Sequence, residues 1–161
     1  MTKIYVLAKY RSAGNRSKVV EKTGPAAEEI FEQALQLEAS TTAQAMVLYH
    51  LALRLDPSLV DAQINVGRLH QLRGELDSAE RHYREAIMTN PNDSIPHFNL
   101  AIALEDQKRP AEAEMEYHRA IRCDNTFADA HCNLALLYLS KGSLALARRH
   151  QARYRLLSPS R

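Results

Sequence analysis

Apolar residues recur at helical spacing in one segment of the chain after another. Between residues 61 and 72, Ala62, Val66 and Leu69 fall on one face, with Gly67 among them. Gly74 interrupts that pattern, and Leu76, Ala79, Tyr83, Ala86 and Ile87 resume it over 76–89. Leu100, Ala101 and Leu104 repeat the first half of the plan, and Ala113, Tyr117, Ala120 and Ile121 the second. It returns once more with Leu134, Ala135 and Tyr138, then past Gly142 with Leu144, Ala147 and Ala152. Pro91 stops a helix, Asn92, Asp93 and Ser94 offer capping side chains to the next, and Pro96 sits in a first turn where a missing N–H costs little. The prediction is an all-α chain of paired helices.

The pairs are copies of one unit. A shift of 34 residues superposes Asn65, Asn99 and Asn133, and also Gly67, Ala101 and Ala135. It also aligns Ala45, Ala79, Ala113 and Ala147, then Tyr49, Tyr83 and Tyr117, then Ala52, Ala86 and Ala120. Pro57, Pro91, Asn125 and Pro159 close the successive units. The small residues predict close approach of the two helices of a pair, and the tyrosines predict filling between pairs. Such a pair cannot bury its apolar face alone, so stacked neighbours must supply the core.

Small residue, aromatic, alanine and terminal proline over 34 residues resemble the tetratricopeptide-repeat (TPR) family, and the match runs over about residues 26–159. The resemblance implies a right-handed helical solenoid of about 3.5–4 repeats. Its units are a degenerate first repeat at 26–59, then 60–93, 94–127 and a last repeat at 128–161. In the first, Ala34 stands where the small residue is expected, one position out of register. In the last, Gln151 and Tyr154 replace the aromatic and the small alanine, and the arginine-rich helix resembles an end cap. Residues 1–25 fit no repeat. Lys3–Tyr10 allows a short strand, and the rest reads as a basic, disordered arm.

In TPR arrays the first helix of each pair lines the concave face, and the function implied is protein–protein interaction, as a scaffold or adaptor. The residues so placed are Asp61, Ile64, Asn65, Arg68 and Gln71, then Ile95, Phe98, Asn99, Ile102 and Glu105, then Asp129, Cys132, Asn133, Leu136 and Leu139. An amide side chain both donates and accepts, so Asn65, Asn99 and Asn133 can pair with the backbone of an extended ligand. Repeats about 10 Å apart match about three residues of extended peptide. Such a ladder is similar to that of O-linked N-acetylglucosamine transferase; the alternative is that these amides satisfy local hydrogen bonds. Ile64, Phe98, Ile102 and Leu136 beside them predict an apolar peptide or helix as ligand, with Arg68 as a polar contact and Phe98 either an anchor or packing between helices. The TPR clamp for chaperone C-termini requires lysine before the asparagine. This chain has Ile64, Phe98 and Cys132 there, which argues against that ligand.

Composition adds bounds. Apolar residues are 45% and charged residues 25%, the balance of a folded domain. No apolar run suggests a membrane span or a signal peptide, so a cytoplasmic location is expected. The net charge of +2 conceals +5 over 1–25, +6 over 141–161 and −9 between them. The basic ends leave room for nucleic acid, as in a regulatory module resembling the C-terminal TPR part of MerR-type regulators, and for salt-sensitive head-to-tail self-assembly. Cys123 and Cys132 form no disulfide or metal pattern. The seven histidines are scattered without a metal motif, although His97 and His131 share one repeat position. With no nucleophile or phosphate-loop motif, no catalysis, cofactor or metal is expected.

Overall fold

The computed structural model describes residues 25–158, with the side chain of Pro25 excepted. The expectations for residues 1–24, including the strand at Lys3–Tyr10, and for Pro159 lie outside the described residues. Among the described residues there are eight helices and no strand. They are α1 (Pro25–Leu37), α2 (Thr42–Leu55), α3 (Val60–Leu72), α4 (Leu76–Thr89), α5 (Ser94–Asp106), α6 (Pro110–Cys123), α7 (Ala128–Ser140) and α8 (Leu144–Leu157). Each odd-numbered helix packs against the next as a hairpin. The chain divides into two compact units at Pro91 and Asn92, so that α1–α4 form one unit and α5–α8 the other.

The turns inside three hairpins repeat one hydrogen-bonding scheme. Glu75 N–H bonds His70 O at 3.0 Å, Arg109 N–H bonds Leu104 O at 2.8 Å, and Ser143 N–H bonds Tyr138 O at 2.9 Å. This six-residue closure needs a left-handed residue just before its end. Gly74 (φ 75°) and Gly142 (φ 72°) provide it without strain, whereas Lys108 adopts φ 62° in the same place. Entry to α5 is capped as its sequence predicts, with Asp93 Oδ1 accepting the Ile95 N–H at 2.9 Å. Pro110 occupies the first turn of α6.

In the α1–α4 unit the core is built from Phe31, Ala34, Ala45, Met46, Tyr49, Ala52, Leu53, Ala62, Val66 and Leu69. Phe31 and Tyr49 set their rings 5.7 Å apart. In the α5–α8 unit Ala101, Ala113, Tyr117, Ala120 and Leu134 are fully buried. The Ala and Tyr columns of the 34-residue repeat are therefore the interior of the helix pairs. The last helix differs: Ala147 is its one buried residue, and Leu144, Leu146 and Leu156 remain exposed.

Candidate partner-binding face

A shared device anchors the buried tyrosines. Each hydroxyl donates to an acceptor at the end of the first helix of its own hairpin: Tyr49 to Glu38 (2.7 Å), Tyr83 to Gln71 (2.9 Å) and Tyr117 to Glu105 (2.6 Å). Burial, reinforced by the acceptor carboxylates, pushes the Tyr49 and Tyr117 hydroxyls far above the ordinary tyrosine range. The hydroxyls therefore stay protonated, and each tyrosine ties its two helices together.

The predicted site residues sit deeper than a contact face requires. On α3, Ile64 and Asn65 have no exposed surface and Arg68 is 4% exposed. Arg68 is held by Glu38 at 2.5 Å in an ion pair whose two side chains are both buried. On α5, Phe98, Asn99 and Ile102 are buried, and Phe98 packs its ring 4.8 Å from Phe127 and 5.9 Å from Tyr117. This corrects the expectation for Ile64, Phe98, Ile102 and Arg68: side chains without accessible surface offer a partner no contact area, and Phe98 packs between elements.

Asn133 of α7 is also buried, and its side chain hydrogen-bonds the Tyr117 hydroxyl, which Glu105 holds from the other side. The structure thus brings Asn133, Tyr117 and Glu105 together across three helices. The Oδ1 of Asn99 differs in having no hydrogen-bond partner. Of the predicted apolar contacts, Leu136 is half-exposed. It lies on the α7 stripe Asp129–Cys132–Leu136–Leu139, in which each residue is half-exposed or, at Leu139, 40% exposed. Burial raises the Asp129 carboxyl and, with Asp129 adding to it, the Cys132 thiol, so the thiol stays protonated near neutrality.

The histidines pair in a way that their spacing alone does not specify. His97 and His131 do not pair with each other; each bonds across its own hairpin, His97 Nδ1 to Glu116 (2.7 Å) and His131 Nδ1 to His150 Nδ1 (2.9 Å). Gln63 and His82 make the equivalent contact at 2.7 Å in the α3–α4 hairpin. All three pairs are separated by 19 residues, a spacing that becomes meaningful only once the hairpin length is known. Among the described residues, no group of three His, Cys, Asp or Glu side chains is gathered so as to hold a metal ion. Nor is any described helix long and apolar enough to cross a membrane.

Comparison with known proteins agrees with the hairpin geometry. The tetratricopeptide repeat family model matches residues 59–87, the α3–α4 hairpin. This chain is a tetratricopeptide-repeat protein. The TPR repeat-containing thioredoxin TTL4 of Arabidopsis thaliana is 38% identical over 84 residues, which are 52% of this TPR chain and 12% of that protein. The chain therefore spans about an eighth of that relative's length. Among solved structures, Pseudomonas aeruginosa pilF matches with a TM-score of 0.76 at 25% identity, covering 84% of this chain and 63% of that one. YrrB, described as a TPR protein with an unusual peptide-binding site, matches with a TM-score of 0.70 at 19% identity, covering 83% and 69%. The all-α TPR solenoid is thus the fold class, and the fold is that of a protein-interaction module.

Proposed function

We propose that this TPR chain is a scaffold or adaptor that holds a peptide segment of a partner protein against the first helices of its α5–α8 hairpins. The observation that carries the reading is the α7 stripe, where Cys132, Leu136 and Leu139 leave apolar surface open on the first helix of a hairpin. Asp129, Glu105 and Asp106, all half-exposed, give the ligand an acidic surround, so the segment is apolar and flanked by lysine or arginine. Asn133 contributes by fixing Tyr117 rather than by a free amide.

Selection from a displayed peptide library tests this. Enriched sequences should combine apolar residues with a basic flank, and Leu136→Asp with Leu139→Asp should abolish their binding while the helical signal is retained. Selected peptides that bind the double variant as tightly as the parent would place the site elsewhere. Enrichment of acidic sequences would also defeat the reading, since the charge argument has only one sign.

A further inference from the structure

The three cross-hairpin pairs are not chemically equal. In the α3–α4 hairpin the ring N–H of His82 donates to the amide oxygen of Gln63, and in the α5–α6 hairpin His97 meets the carboxylate of Glu116. In the α7–α8 hairpin no amide or carboxylate stands at this place, and two imidazoles, His131 and His150, face each other through Nδ1 atoms 2.9 Å apart. One must donate and the other accept, so the pair has no room for a second proton on those nitrogens. His131 is 7% exposed, and its Nε2 is buried without a hydrogen bond of normal geometry, although the main-chain carbonyl of Asn125 lies close enough to favour the protonated ring.

These rings line a pocket of about 520 Å³ between α6, α7 and α8. Arg149 and Arg153, one turn apart, stand on its rim, and neither forms an ion pair among the described residues. Ile121, Leu146 and Leu156 supply apolar wall, the two leucines 42% and 73% exposed on a helix otherwise rich in arginine. The carboxylate nearby, Glu114, is already engaged: Tyr138 donates to it at 2.8 Å, Lys141 pairs with it, and the Nε2 of His118 donates to the Tyr138 hydroxyl at 3.0 Å. The pocket is therefore short of negative charge. Burial, then His131, His118 and Arg149, hold His150 down to about 4. Burial first, with Arg153 and His118 adding to it, also lowers His131.

We infer that this pocket binds a carboxylate carried on a branched apolar group, the carboxylate taking the acceptor place beside His131 and His150 under Arg149 and Arg153. The apolar group then covers Ile121, Leu146 and Leu156. His131 and Tyr138 lie on a different side of α7 from Cys132, Leu136 and Leu139, so this site stands apart from the peptide face proposed above. A free organic acid and a protein C-terminus ending in a branched residue carry the same chemistry, and the test separates them.

The probes are isovalerate, isoamyl alcohol as its neutral counterpart, and a peptide ending in leucine with a free or an amidated carboxyl. Imidazole NMR signals of His118, His131 and His150 should shift and saturate with isovalerate or with the free-carboxyl peptide, and not with the alcohol or the amide. A peptide that binds more tightly than isovalerate points to a protein terminus; the reverse order points to a free acid. An incoming anion favours the protonated ring, so binding takes up a proton and tightens as pH falls from about 7 to about 5. Arg149→Gln with Arg153→Gln should weaken binding about tenfold or more. His131→Gln installs the Gln–His pair that the α3–α4 hairpin already uses, so it should keep the fold and lose the ligand. Imidazole signals unmoved by both carboxylates, equal shifts from alcohol and acid, or unchanged affinity in both variants would each overturn the inference.

Discussion

The ring of Tyr83 lies directly against the bare α-carbon of Gly67. A Cβ at that position would stand 2.7 Å from Tyr83 Cε1 and 2.9 Å from Cδ1, inside any allowed contact. Tyr83 cannot yield freely, because its ring is fully buried and its hydroxyl is tied to Gln71. The equivalent positions in the following hairpins are Ala101 and Ala135, so the α3–α4 hairpin is the one that demands glycine here.

Gly67→Ala should therefore destabilise the chain despite its better helix propensity. Overpacking of a closed core costs about 1–3 kcal/mol, more than the gain of up to about 1 kcal/mol from replacing a helical glycine. Urea unfolding of the variant measures the balance, and Gly67→Ala combined with Tyr83→Phe should recover little, since the ring rather than the hydroxyl makes the clash.

Lys108 offers the opposite case. It holds the left-handed turn position that Gly74 holds in the α3–α4 hairpin and Gly142 in the α7–α8 hairpin. A side chain there costs about 1–2 kcal/mol relative to the right-handed region, partly offset by the entropy a glycine adds to the unfolded chain. Lys108→Gly should raise the melting temperature slightly or leave it unchanged, and a clear drop would contradict this account of the turn.

Glu38 is predicted to be the most sensitive polar residue in the α1–α4 unit. It accepts from Tyr49 and pairs with Arg68, and all three side chains are buried. Glu38→Ala strands the Arg68 guanidinium and should cost about 3–5 kcal/mol, whereas Tyr49→Phe, which leaves the ion pair intact, should cost about 1 kcal/mol. Equal losses in the two variants would show that the ion pair is not the dominant partner.

His82 should make stability depend on pH. Burial, with His70, Arg81 and His50 adding to it, holds its folded-state value down to about 4, against about 6.5 for a free imidazole. Between those values the unfolded chain binds the extra proton. The contribution is therefore fully present above about 6.5 and is lost as pH falls toward about 4. Urea midpoints measured across this window should fall less steeply for His82→Gln than for the parent chain.

The sequence by itself determined the helices, their pairing and their number of copies, because helical periodicity and a 34-residue period are both local or nearly local signals. It also determined which small residues and tyrosines would be interior, since Ala79, Tyr83, Ala113 and Tyr117 recur in fixed columns. Depth and partnership had to come from tertiary structure. A helix periodicity places Phe98 and Leu136 on the same repeat stripe, yet the first is closed over by Phe127 and Tyr117 and the second is left half-open. The asparagine column looked like three equal amides, but Asn133 serves Tyr117 while Asn99 keeps an unpaired oxygen. His150 has no partner legible from spacing alone; the α7–α8 hairpin sets it against His131. Burial and hydrogen-bond pairing are properties of distances between chain segments, and one-dimensional spacing specifies those only after the segments have packed.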